Sequence, residues 1–174
     1  EGDLRINIGN DQCSKPYSSS IMNISAMSYG SLSKNAVLAL NGGAKMNNFA
    51  HNTGEGGVAS HHLEPGGDLI WQIGTGYFGC RNDDGTFNAD LYEKYATLDN
   101  VKMIELKLSQ GAKPGHGGIL PAKKNTPEIA AIRHVKPGTA VLSPPRHKAF
   151  SDSDGLMDFI KVLRDRSGGK PVGF

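Results

Sequence analysis

Apolar and polar positions alternate in short blocks along this chain of 174 residues, and the blocks predict brief strands separated by helices. Ile21–Met27 (IMNISAM) is an apolar run of the length of a buried strand, ending at Tyr29-Gly30. Ser33 stands where an N-cap belongs, ahead of Ala36, Val37, Leu38, Ala39 and Leu40, and Gly42-Gly43 closes or kinks that helix. Phe49-Ala50-His51 predicts a very short strand that runs straight into Asn52-Thr53-Gly54-Glu55-Gly56-Gly57. Asp68–Ile73 predicts a turn of helix before Gly74-Thr75-Gly76, and Asn88 caps a helix to Ala96. Val101–Leu108 (VKMIELKL) alternates as a strand does and leads into a second glycine loop at 110–118. Thr126-Pro127-Glu128 opens a helix through Ile132, with proline at its first position. Ser153–Arg166 is the clearest amphipathic helix, with Leu156, Phe159, Ile160 and Leu163 at helical spacing, and Pro171–Phe174 reads as a strand after it.

Strand, glycine loop and helix in repetition are the signature of a parallel α/β fold. A doubly wound sheet and a (β/α)8 barrel share that signature. Here the unusual residues gather after the C-terminal ends of successive strands, as in a barrel whose loops share one active-site face. A complete barrel takes about 250 residues. The expectation is therefore an α/β fold that is the N-terminal half of a (β/α)8 TIM barrel, truncated at both ends. Residues 1–20 form an extended, polar lead-in and residues 21–174 the partial barrel.

Composition changes this picture in one respect. There are 23 glycines, nearly twice the ordinary share of about 7%, and they cluster in runs where backbone must approach something closely. A formal net charge of +2 gives no argument for nucleic acid, which calls for a clustered basic patch. Cys13 and Cys80 lie far apart and read as reduced thiols of a cytoplasmic protein. No apolar run is long enough for a membrane span. The histidines at 51, 61, 62, 116, 134 and 147 show no metal-binding spacing, and no GxSxG or CxxC motif is present.

Three places carry candidate chemistry. Small residues at Ala26-Met27-Ser28-Tyr29-Gly30-Ser31 let backbone amides reach a flat ring, although a tight turn with a capping Ser explains them equally well. The loop at 52–57 sets Glu55 among three glycines, able to fold over a small ligand; it lacks the Gly-Lys-Ser/Thr ending of a phosphate loop. The third place is the strongest. Lys107 lies near the end of an apolar strand, where an unpaired ammonium is costly, so it should face an anion or an electron-rich ring edge. Gln110 and Lys113 follow in the loop above, and two cations with an amide suit a dicarboxylate or keto acid. Arg133 suits a helix C-terminus electrostatically, and its planar fork also fits a carboxylate.

The segments ISAMSYGSLS, HNTGEGG, GDLIWQIGTGYFGCR, KMIELKLSQGAKPGHGGILP and SGGKPVGF together resemble the FMN-binding synthase domain of glutamate synthase, from about Pro16 to the last residue. The resemblance is closer to the shorter glutamate-synthase-like proteins without a glutaminase region, in which His116 stands where larger synthases have Glu. It implies an FMN-bearing barrel that makes L-glutamate from 2-oxoglutarate and ammonia by reducing 2-iminoglutarate. Electrons would arrive through a 3Fe-4S cluster, from ferredoxin or an NADPH-linked subunit. Carried over by motif, Met27, Ser28 and Gly30 would line the flavin and Lys107 would sit beside its ring. Glu55, Gln110, Lys113 and Arg133 would hold the keto acid, with Lys107 and Glu55 catalytic. Cys13 and Cys80 do not reproduce the cluster-binding cysteines, so the cluster and the strands that hold the FMN phosphate are expected from the remainder of the barrel. The competing readings are an FMN barrel acting on another keto or hydroxy acid, and a non-catalytic half-barrel serving as a binding or assembly module.

Overall fold

The computed structural model describes residues 4–174. They build a mixed α/β fold on a four-stranded sheet of order β3-β4-β5-β8, all of whose pairings are parallel. Two strands, β1 (Arg5–Ile8) and β2 (Tyr17–Ser20), precede it as an antiparallel pair. Then come α1 (Lys34–Met46), β3 (Ala50–Asn52), α2 (Ser60–Leu63), β4 (Asp68–Ile73), α3 (Ala89–Ala96) and β5 (Val101–Leu106). The two-residue β6 (Ile119–Leu120) and β7 (Val141–Leu142) pair antiparallel across α4 (Pro127–Arg133), and α5 (Ser153–Arg166) leads to β8 (Val172–Gly173).

The helix starts are where side-chain oxygens meet orphan amides: Ser33 accepts from Ala36 N–H, Asn88 from Leu91 N–H, Thr126 from Ile129 N–H and Asp152 from Gly155 N–H. Helix α1 departs from expectation by running straight through Gly42-Gly43 to Met46. Each glycine costs about 1 kcal/mol there, but Val37, Asn41 and Ala44 are buried along one face and outweigh it. Asn41 also accepts the Gly67 N–H at 2.9 Å, which ties the helix to the entry of β4.

The segment expected to be a turn of helix, Asp68–Ile73, is instead the strand β4, paired on both sides. A parallel strand buried on both faces is a continuous apolar run with no alternation, so periodicity misreads it. Its Leu69, Trp71 and Ile73 pack in one core with Tyr92, Ala96, Val101, Ile104, Leu106, Phe159 and Leu163. Trp71 stacks on Tyr92 with ring centroids 5.3 Å apart, and the Tyr92 hydroxyl donates to Leu163 O at 2.7 Å. Burial of each such side chain is worth roughly 1.5–3 kcal/mol, and this core fixes α3 and α5 on the outside of the sheet.

Ile21–Met27 is only a fragment of the expected strand. Ile24 makes one parallel bridge to His51 and exchanges backbone hydrogen bonds with Ala50 and Asn52, while Ile21 and Met22 are exposed. On the N-terminal side of Ile24 the ladder stops, where the Asn23 side chain and not a main-chain carbonyl accepts the Ala50 N–H at 2.8 Å. The lead-in holds the β1–β2 pair; Glu1, Gly2 and Asp3 fall outside the described residues. Lys15 N–H donates to Gly169 O and anchors that pair to the turn after α5. No described helix is long and apolar enough to cross a membrane.

Candidate functional site

The loops that leave β3, β4 and β5 meet at one end of the sheet, and glycine is what allows them to interlock. Gly54 has φ +65°, and a Cβ on it would lie 2.8 Å from the Ser28 backbone nitrogen. A Cβ on Gly56 would lie 2.9 Å from the Arg133 guanidinium, and one on Gly74 would run into the Glu55 carboxylate. The loop at 52–57 is thus wedged between the turn at Ser28, the end of α4 and the exit of β4, and Glu55 is left with one direction to point.

In that direction it meets Lys107 and Gln110. Lys107 Nζ lies 3.2 Å from Glu55 Oε1, and Gln110 Nε2 donates to the two carboxylate oxygens at 3.0 and 3.3 Å. Lys107 Nζ also donates to Gln110 Oε1 at 3.3 Å, which closes a three-membered network. Beneath it, His147 Nε2 donates to the Lys107 carbonyl at 2.8 Å, and His147 Nδ1 accepts from the Tyr77 hydroxyl at 3.1 Å, a tautomer assigned from these partners. The Ala149 N–H in turn donates to that hydroxyl oxygen at 3.1 Å. Burial pushes the His147 pKa down and keeps the ring in this neutral form.

Arg133 is the last residue of α4, which His134 ends by taking a left-handed conformation at φ +55°. The guanidinium is buried, lies 5.1 Å from the centre of the Phe78 ring and donates to Tyr29 O at 3.3 Å. Its Nε is buried without a partner among the described residues. Burial pulls its pKa down, and the nearby Glu55 opposes that shift. Ser28 is buried with its hydroxyl 2.7 Å from that of Ser31. The neighbouring Met27 carbonyl accepts from His62 Nε2 at 3.1 Å. Tyr29 donates to Glu128, which also holds His61 at 2.9 Å, so the turn is clasped from both sides.

A cavity of about 230 Å³ opens between these groups. Ser28, Gly30, Glu55, Gln110, Lys113 and Arg133 all line it, as six of the candidate residues read from the sequence. Lys113 stands exposed at its rim. Lys107 sits one step below, and its fixed partners among the described residues are the Glu55 carboxylate and the Gln110 amide oxygen. Met27 does not line the cavity and contributes backbone contacts. Sequence reasoning missed Phe78, Lys124 and Ser143, which also line it. Phe78 belongs to a glycine-rich segment whose composition marked a turn, and Ser143 follows a strand of two residues, too short for any periodicity. Among the described residues no group of His, Cys, Asp and Glu could hold a metal ion.

The chain matches the model of a conserved region in glutamate synthase over residues 5–174. It is 45% identical over 168 residues to a glutamate synthase large subunit-like protein, YerD, of Bacillus subtilis (strain 168), covering 95% of this chain and 32% of that protein. An archaeal-type glutamate synthase [NADPH] of Thermotoga maritima is 38% identical over 150 residues, 85% of this chain and 27% of its own length. The glutamate synthase [NADPH] large chain of Bacillus subtilis is 36% identical over 80% of this chain and 9% of its own length. The chain therefore spans about a third or less of these relatives. With one family model running across nearly every residue and with relatives that agree on the name, the chain belongs to the glutamate synthase family of oxidoreductases.

Proposed function

We propose that these residues are the substrate end of an FMN-dependent (β/α)8 barrel that makes L-glutamate by reducing 2-iminoglutarate, formed from 2-oxoglutarate and ammonia. The observation that carries this is the single cavity in which Arg133, Lys113, Gln110 and Glu55 converge. Its size suits a small dicarboxylate, and its donors suit carboxylates. Arg133 has the planar fork for one of them, with an Nε that lacks a partner among the described residues, and Lys113 offers a second cation at the mouth.

The flavin side rests on chemistry of the same kind. Ser28 and Gly30 would hold the ring through hydroxyl and backbone, with Met27 as the flanking turn, and Lys107 would offer its ammonium to the electron-rich edge. When bound, the flavin would supply the hydride, which is the cofactor's own chemistry. The chain's residues bind, orient and manage protons: Arg133 and Lys113 fix the acid, while Gln110 and Lys107 hold the Glu55 carboxylate at the reacting centre, where a proton must be held or moved. In this reading the FMN phosphate site and the 3Fe-4S cluster would come from other strands of the barrel, and the electrons from ferredoxin or an NADPH-linked subunit.

The test is anaerobic. The full-length protein, with its flavin reduced, is mixed with 2-oxoglutarate and ammonium. Oxidation of the flavin with formation of glutamate is expected, and oxidation only by a different keto acid would overturn the assignment.

A further inference from the structure

Asn52, the last residue of β3, is more than nine-tenths buried and uses all of its polar groups. Its main chain binds the first segment: Asn52 N–H donates to Ile24 O at 3.0 Å, and its carbonyl accepts from Met27 N–H at 3.1 Å. Its side chain binds two other places. Oδ1 accepts the Gly54 N–H at 2.9 Å, and Nδ2 donates to Glu105 Oε1 at 3.1 Å. The same Glu105 oxygen accepts from Gln72 Nε2 at 2.5 Å. Gln72 and Glu105 are partners in the β4–β5 register, and Asn52 reaches the same carboxylate from the end of β3, where its own main-chain partner is Ile70. The Gly54 peptide is pinned at its other end as well, because Thr53 Oγ1 donates to Gly54 O at 2.9 Å.

We infer that Asn52 is a positioning residue of the active site, and that the Glu105 carboxylate sets which way its amide faces. A carboxylate accepts and does not donate, so Nδ2 must point to Glu105 and Oδ1 must point to Gly54. That choice presents the acceptor the Gly54 amide needs, and the residue after Gly54 is Glu55. Through its main chain the same residue holds Met27, next to Ser28. One residue, main chain on one side and side chain on the other, therefore sets the distance between the turn assigned to the flavin and the carboxylate assigned to the keto acid. None of its atoms lines the cavity. The inference rests on the functional reading above.

Asn52→Asp preserves shape but turns an oxygen toward the Glu105 carboxylate. In the full-length, flavin-loaded enzyme, kcat/KM for 2-oxoglutarate should fall about tenfold or more, because reacting groups lose alignment. Combining it with Glu105→Gln reverses the bond: the amide nitrogen introduced at 105 donates to the carboxylate introduced at 52, and the Gln72 amide turns over so that its Oε1, which has no partner among the described residues, accepts from that same nitrogen. The double variant should return to within about threefold of wild type, the signature of a direct pair. Wild-type kcat/KM in the single variant would overturn the inference. So would a double variant that regains the wild-type melting temperature but stays slow. If wild type itself does not turn over 2-oxoglutarate, the reaction is misassigned, and amide exchange across residues 52–57 decides the coupling. Faster exchange in Asn52→Asp that the second substitution reverses upholds it, and unaltered exchange overturns it.

Discussion

Lys107 and Glu55, on loops that leave β5 and β3, hold one another at 3.2 Å with about a quarter or less of either side chain exposed. Removing one member of such a pair leaves the other half-buried and uncompensated, which is costlier than never having had the pair. The pair is therefore a preset geometry, which aims the Glu55 carboxylate before anything enters the cavity beside it.

Lys107→Met in the full-length protein keeps volume and removes the charge, and methionine is tolerated in apolar surroundings. The flavin midpoint potential should fall by tens of millivolts, since about 30 mV corresponds to 1.4 kcal/mol in a two-electron couple. A redox titration checks it. An unaltered potential together with lost turnover would mean that Lys107 serves only Glu55 and the substrate.

Arg133 and Lys113 separate two kinds of cation. Arg133→Lys deprives a buried, stacked fork of its planarity, and keto-acid affinity should drop roughly 10- to 100-fold, the size of a lost charge-assisted hydrogen bond. Lys113→Ala should raise KM with flavin content unaltered, because the residue is exposed at the rim. Loss of FMN from the Lys113 variant would move that residue to the cofactor side.

Gly54→Ala tests the interlocked loops. The position has φ +65° and a Cβ there would meet the Ser28 backbone at 2.8 Å. Strain and collision together should cost about 1–3 kcal/mol. A melting temperature equal to that of wild type would show that the Ser28 turn yields.

Acid should loosen the fold before it touches the carboxylates. Burial, helped by the neighbouring His62, takes the His51 pKa from its ordinary 6.5 to about 4, and burial lowers His62 and His147 as well. For a lowered histidine the unfolded chain binds the proton first. Stability is therefore whole above about pH 6.5 and is lost as pH falls toward 4. The slope is roughly 1.4 kcal/mol per pH unit for each such histidine. Urea titrations at pH 7.5, 6 and 5 (about one unit apart, enough to resolve such a slope) should show it, and His51→Phe should lessen the slope while His62 and His147 keep the rest.

Much of this was legible in the sequence for physical reasons. Asn88, Thr126 and Ser33 announce helices because a cap is a local bond between neighbours. Glu55, Gln110, Lys113 and Arg133 could be gathered because they sit in glycine loops or at a helix end, where a charged side chain needs a reason. Asp68–Ile73 was misread because burial on both faces erases alternation. β6 and β7 are two residues each, so only the tertiary pairing defines them. Asn52 and His147 escaped for another reason: their importance lies in partners 53 and 40 residues away, and no local pattern reports such a partner.

The strands β3, β4, β5 and β8 stand in the sheet in the order in which they occur in the chain. Each new strand thus finds its neighbour already synthesised, and none has to be inserted between two others. A ribosome releasing this polypeptide at about 5–20 residues per second would extend the sheet from one edge only. The Glu55 loop would wait for Lys107 to emerge, and assembly of the site would follow the pace of translation.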